Sequence, residues 1–162
     1  MEWATAARYP GGRGYNELEN TAASVKSNHG IYRLQALANL VKLFDCGVWQ
    51  WKPGEVDKHT WGYYHFINFS GTSIGRAFDV YIGDPRGHSD PKYRYSHANQ
   101  QDRIHCAAYI QHHLSEYLTE GIFSGGPAGQ NLSVKNGKQV SGLATWGEST
   151  WHHHNDHIHI AV

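Results

Sequence analysis

The chain closes on His152, His153, His154, Asn155, Asp156, His157, Ile158, His159, Ile160, Ala161 and Val162. Imidazoles titrate near neutral pH and ligate metals, so this stretch could do acid–base or metal chemistry. A terminal His run is also the mark of a purification tag. Here the run is broken by Asn155-Asp156, resumes as His157-Ile158-His159 and ends apolar, as a strand would. In a strand, residues two apart share a face. His157 and His159 then point together, while Asp156 points away and takes a turn or strand-entry role. A partner for them stands in "RAFDVYIG", where Asp79 interrupts an otherwise apolar strand. Aspartate is depleted in strands and costly to bury unpaired. A metal or a charged imidazole would neutralise it. Ala77 leaves room for a ligand, and Gly75 permits close backbone approach. The alternative is an edge-strand Asp79 that faces water or pairs with Arg76 or Arg103.

The elements that must position these groups follow from periodicity. "IYRLQALANLVKLF" spaces Ile31, Leu34, Leu37, Ala38, Val41 and Phe44 along one helical face. Ser27 or Asn28 could cap its start, and Gly47 lies past its end. "GYYHFINFS" and "RAFDVYIG" read as strands; the second puts Ala77, Asp79 and Tyr81 on one face, with Phe78, Val80 and Ile82 on the other. Asp84 to Asn99 reads as a long polar loop. "QDRIHCAAYIQHHLSEYL" is a second amphipathic helix, with His112 and His113 on its surface. Asn136-Gly137 between two short extended runs signals a hairpin. The tract His152 to His154 reads as a loop before the last strand, where Trp146 and Trp151 could wall a groove or pack in the core. Residues 1–29 read as an irregular arm with one short helix near Leu18. Residues 30–162 form one domain, α+β, with a small mainly antiparallel sheet and two or more packed helices.

Composition limits the partners. The 162 residues carry Lys+Arg 14 against Asp+Glu 14, so no basic field exists to hold nucleic acid. No stretch approaches membrane-spanning length and no apolar run of signal-peptide type opens the chain, so membrane insertion is not expected. Cys46 and Cys106 lack metal-type spacing and either pair or sit as buried thiols. Glu116, Glu120 and Glu148 show no paired spacing, which argues against a glycosidase.

Gly75-Arg76-Ala77-Phe78-Asp79, followed by Asp156-His157-Ile158-His159, resembles the zinc peptidases of the lysostaphin, D-alanyl-D-alanine peptidase and hedgehog superfamily. It is most similar to the D-alanyl-D-alanine carboxypeptidase-like domains of bacterial cell-wall enzymes and phage endolysins. The family pattern is Ser-x-His-x-x-Gly-x-Ala-x-Asp with a terminal His-x-His. Ser70, Gly75, Ala77 and Asp79 match its first part, and the matching stretches span roughly the second half of the chain. The resemblance implies a hedgehog/D-Ala-D-Ala-peptidase-like fold and a Zn2+ cofactor. It makes Asp79 and His159 metal ligands and His157 the catalytic general base or transition-state stabiliser. Ser70 and Arg76 become candidate substrate contacts, although Arg76 could equally be a surface cation. The implied reaction is hydrolysis of an amide in peptidoglycan stem or cross-link peptides, with metal-bound water as nucleophile.

One position departs from the pattern: the family's first ligand His falls on Thr72. Threonine is a poor zinc ligand, and a catalytic zinc normally keeps three protein ligands. His59, His65, His88, His97 or one of His152 to His154 could supply the third. If none does, the expectation becomes a non-catalytic relative, a cell-wall binding module or virion component.

Overall fold

The structure is a computed structural model that describes residues 15–44, 46–49, 66–69, 72–75, 77–82 and 97–162. Ser70, Arg76, His59, His65 and His88 lie outside the described residues, as does most of the expected loop from Asp84.

Two helices open the fold, α1 (Tyr15–Ser27) and α2 (Gly30–Lys42). Leu18, Ala22 and Val25 recur at helical spacing on α1 and are buried against Leu34, Leu37, Ala38 and Val41 of α2. The helix expected near Leu18 is therefore a full element whose apolar stripe joins the core. The capping expectation needs correction. His29 occupies the N-cap of α2 without a side-chain cap bond, and Asn28 instead donates Nδ2–H to the Ser24 carbonyl at 2.7 Å, closing α1. Arg33 of α2 also donates Nε–H to the Val25 carbonyl at 2.9 Å, placing a cation at the carbonyl end of α1. Gly47 lies inside a strand, not at a helix end.

The strands are β1 (Cys46–Trp49), β2 (Phe66–Phe69), β3 (Thr72–Gly75), β4 (Ala77–Ile82), β5 (Glu120–Phe123), β6 (Leu132–Lys135), β7 (Lys138–Gln139) and β8 (Ile158–Ala161). Between them come α3 (His97–His113), a 3-10 turn at Ser115–Tyr117, α4 (Gly142–Trp146) and α5 (Glu148–His153). One antiparallel sheet has the order β1-β4-β8-β5-β6-β7, and β2 and β3 form a separate hairpin. This is the α+β architecture with an antiparallel sheet. The β6–β7 turn has Asn136 at φ 51° and Gly137 at φ 75°, as an Asn-Gly hairpin requires.

Pleating divides the sheet into two chemistries. Phe78 and Val80 of β4 and Ile158 and Ile160 of β8 face the helices and join the main apolar core. The alternate residues, among them Asp79 and His159, face the other way. Cys46 and Cys106 are buried free thiols, which resolves their open assignment in this structure. No helix among the described residues is long and apolar enough to cross a membrane.

Candidate metal and catalytic site

β4 and β8 are interior neighbours in the sheet, and their register sets Asp79 directly opposite His159. Side chains of directly opposed residues share a face, so two polar groups 80 positions apart in sequence meet without any loop rearrangement. Both are buried, at 6% and 5% exposure. An edge-strand Asp79 that faces water is thereby excluded. His159 Nδ1 lies 3.3 Å from Asp79 Oδ1. Its other ring nitrogen, Nε2, lies 3.3 Å from Glu120 Oε2. Glu120 arrives from β5, where Ile122 stands opposite His159 and Glu120 opposite Ala161, so it reaches His159 diagonally on the same face. Burial opposes a charge on His159, but hydrogen bonds to Asp79 and Glu120 outweigh it and lift its pKa to about 9.

His157 precedes β8 and is buried beside His159. Its Nδ1 meets Asp156 Oδ1 at 2.7 Å, and its Nε2 lies 3.9 Å from Asp79 Oδ2. The expectation that Asp156 points away from the site is corrected. Strand alternation begins only at Ile158, so the turn leaves Asp156 buried and directed at the His157 ring. The pair is an imidazole oriented by a carboxylate, the arrangement of an acid–base group.

The His tract is also different from the expected loop. His152 and His153 end α5, and His154 is its C-cap. His152 and His153 are exposed, while His154 is half-buried and turned inward. The His154 ring centroid is 4.8 Å from that of His157 and 5.8 Å from that of His159. Burial foremost, and then the neighbouring His157 and His159, lower the His154 pKa to about 4 against the opposing pull of the Thr150 carbonyl and Asp79. Three hydrogen bonds anchor this turn. The Ser124 N–H donates to the His154 carbonyl at 2.9 Å. Gln100 of α3 donates Nε2–H to the carbonyls of Asn155 and Gly125, at 2.9 and 3.1 Å. Gly125 has no side chain because a Cβ there would strike the Asn155 carbonyl and the Gln100 amide.

Trp146 donates Nε1–H to Ser133 Oγ at 3.0 Å. Ser133 lies in the same transverse row as Asp79, His159 and Ile122, two strands or about 10 Å from His159, so the Trp146 bond is made on the site's face of the sheet. Trp151 instead packs its ring against Gly142, holding α4 to α5. The groove reading therefore fits Trp146 better than Trp151. A polar surface groove of about 590 Å3 also runs between α1 and α2, past Asn20, Ser24, Tyr32 and Gln35. It carries Glu17 as its one carboxylate and no imidazole.

Two donors 2.0–2.1 Å from a tetrahedral zinc lie about 3.3–3.4 Å apart. The Asp79 Oδ1–His159 Nδ1 separation matches that edge, and it exceeds the roughly 2.7–2.9 Å of a charge-assisted hydrogen bond. The Glu120 side has the same spacing, but the neighbouring imidazoles of His157 and His154 gather with Asp79. Glu120 is thus better suited to hold the far nitrogen of His159. Among the described residues, no group of three or more His, Cys, Asp or Glu donors is arranged to hold a metal ion. Thr72 begins β3, in the hairpin separate from the sheet that carries Asp79 and His159.

Fold and site together define an α+β protein with a buried carboxylate–imidazole cluster on one sheet face. No family model matches the chain, nor does any curated protein or any solved structure.

Proposed function

We propose that the protein is a zinc-dependent hydrolase of an amide bond in peptidoglycan stem or cross-link peptides, with a hedgehog/D-Ala-D-Ala-peptidase-like arrangement of its sheet and helices. The observation that carries this reading is the buried Asp79–His159 pair, spaced as two ligands of one tetrahedral ion and flanked by the His157–Asp156 pair. Asp79 and His159 would hold the metal, and Glu120 would accept the His159 Nε2–H. Zinc would supply a Lewis acid and a water nucleophile that forms near neutral pH. Asp156 orients His157 by accepting its Nδ1–H, which leaves Nε2 to move a proton on the same face as Asp79. Ser70 and Arg76 are assigned to substrate contacts.

The test is digestion of purified peptidoglycan by the zinc-supplemented protein. New amines and carboxylates without reducing sugars are expected, and Asp79→Ala should abolish them. Release of reducing sugars would overturn the reading in favour of a glycosidase. One observation favours a second reading, a cell-wall binding module or virion component: Thr72 stands where a ligand His is expected, and no group of three or more donors among the described residues could hold a metal ion. That reading predicts binding to cell-wall material with no bond cleaved.

A further inference from the structure

Beside their buried apolar stripes, α1 and α2 carry a second, polar pair. Asn20 and Ser24 stand one turn apart on α1, with Asn28 just past its end, and Tyr32, Gln35 and Asn39 recur at helical spacing on α2. These residues line the groove of about 590 Å3 between the two helices, and the small, buried Ala36 leaves room between them. Small-molecule sites commonly have volumes of about 300–1,000 Å3. Carboxamides and hydroxyls dominate this lining. Among the described residues no Lys or Arg lines it, so a phosphate or carboxylate ligand would find no charge partner there.

Much of the hydrogen-bonding capacity is unused. Gln35 donates Nε2–H to Asn39 Oδ1 at a long 3.4 Å, and Asn28 donates Nδ2–H to the Ser24 carbonyl. The Gln35 and Asn28 side-chain carbonyls and the Asn20 amide make no hydrogen bond to another described residue. A carboxamide both donates and accepts, as a sugar hydroxyl does. Tyr32 adds a ring that is 61% exposed, apolar on its face and polar at its tip. A pyranose has the complementary division, an apolar C–H face ringed by hydroxyls.

We propose that the α1–α2 groove binds a neutral oligosaccharide, with one sugar ring stacked on Tyr32 and hydroxyl or acetamido groups bonded to Asn20, Gln35 and Asn39. The inference goes beyond the proposed function and does not rest on it, because Asp79 and His159 lie on the sheet face turned away from the apolar core that α1 and α2 cover. It suits a protein of the cell wall: glycan strand and stem peptide belong to one polymer, and holding the first raises the effective concentration of the second.

The experiment is titration of the 15N-labelled full chain with a soluble N-acetylglucosamine oligosaccharide, read by heteronuclear NMR. Saturable shifts are expected in the side-chain amides of Asn20, Gln35 and Asn39. Tyr32→Ala should weaken binding about tenfold, the scale of an aromatic contact residue, and Tyr32→Phe about threefold or less. Circular dichroism checks that both variants fold, and Asn20→Ala on the facing helix should give a second, independent loss. Zinc content read on the same variants should equal that of the wild type, which keeps a failure of the zinc reading distinct from a failure here. Absence of saturable shifts, shifts confined to Trp146 and the sheet face, or wild-type affinity in a folded Tyr32→Ala would overturn the proposal.

Discussion

Glu120→Ala tests whether the far nitrogen of His159 matters. Glu120 Oε2 lies 3.3 Å from His159 Nε2, and its side chain is 24% exposed, against 7% for His159. Outer-sphere partners of a metal-bound histidine typically contribute about 10–100-fold to affinity. The contact here is longer than an ideal charge-assisted bond, and water competes at a carboxylate that is one quarter exposed. The expected effect therefore falls at the low end, about tenfold, or about 1.4 kcal/mol. Glu120→Gln keeps an acceptor oxygen within reach and should lose about half of that free energy, roughly threefold in affinity. The assay is zinc affinity by chelator competition on metal-free protein at fixed pH, with thermal unfolding alongside. Wild-type affinity in a folded Glu120→Ala would refute the claim that Glu120 orients His159. Equal losses in both variants would show that charge, not an acceptor, is what His159 needs.

Three further outcomes follow from the same structure. Asp156→Asn, which removes the carboxylate partner of His157, should lower kcat by about tenfold to a hundredfold with zinc content unchanged, as kinetics and metal analysis on one preparation will read. Phe78→Ala empties a fully buried core position behind Asp79 and should cost about 3–5 kcal/mol, or about 10 °C in Tm by calorimetry. Burial foremost, with Cys46 beside it, holds the Cys106 thiol well above its usual range. The native state then keeps a proton that the unfolded chain releases, so stability should fall as pH rises above about 9. Denaturant titrations should show a shallower alkaline decline in Cys106→Ala, and native Cys106 should resist alkylation.

Much of the sheet and half of the site could be read from local pattern. His157 and His159 announce themselves by a two-residue period, and Asp79 by being an acid among Phe78, Val80 and Ile82. The Asn136-Gly137 turn needed no tertiary information. Glu120 could not be found this way. Its role depends on β5 pairing with β8 in one register, a contact between segments about 40 residues apart, and a single Glu at a strand start carries no mark of it. Strand alternation carried back to Asp156 misplaces its side chain, because β8 begins only at Ile158. His154 was hidden for a similar reason: three consecutive histidines look alike in sequence, and only the C-cap of α5 turns one of them inward.

The most direct test of the account is zinc stoichiometry. Untagged protein, purified without chelator, is measured by elemental mass spectrometry beside Asp79→Ala and His159→Ala. Exposed histidines such as His152 and His153 bind metal adventitiously, so the difference between variants is the quantity that counts. Close to one zinc per chain is expected in the wild type, lost in both variants. Equal zinc in all three proteins, or none in any, would contradict it.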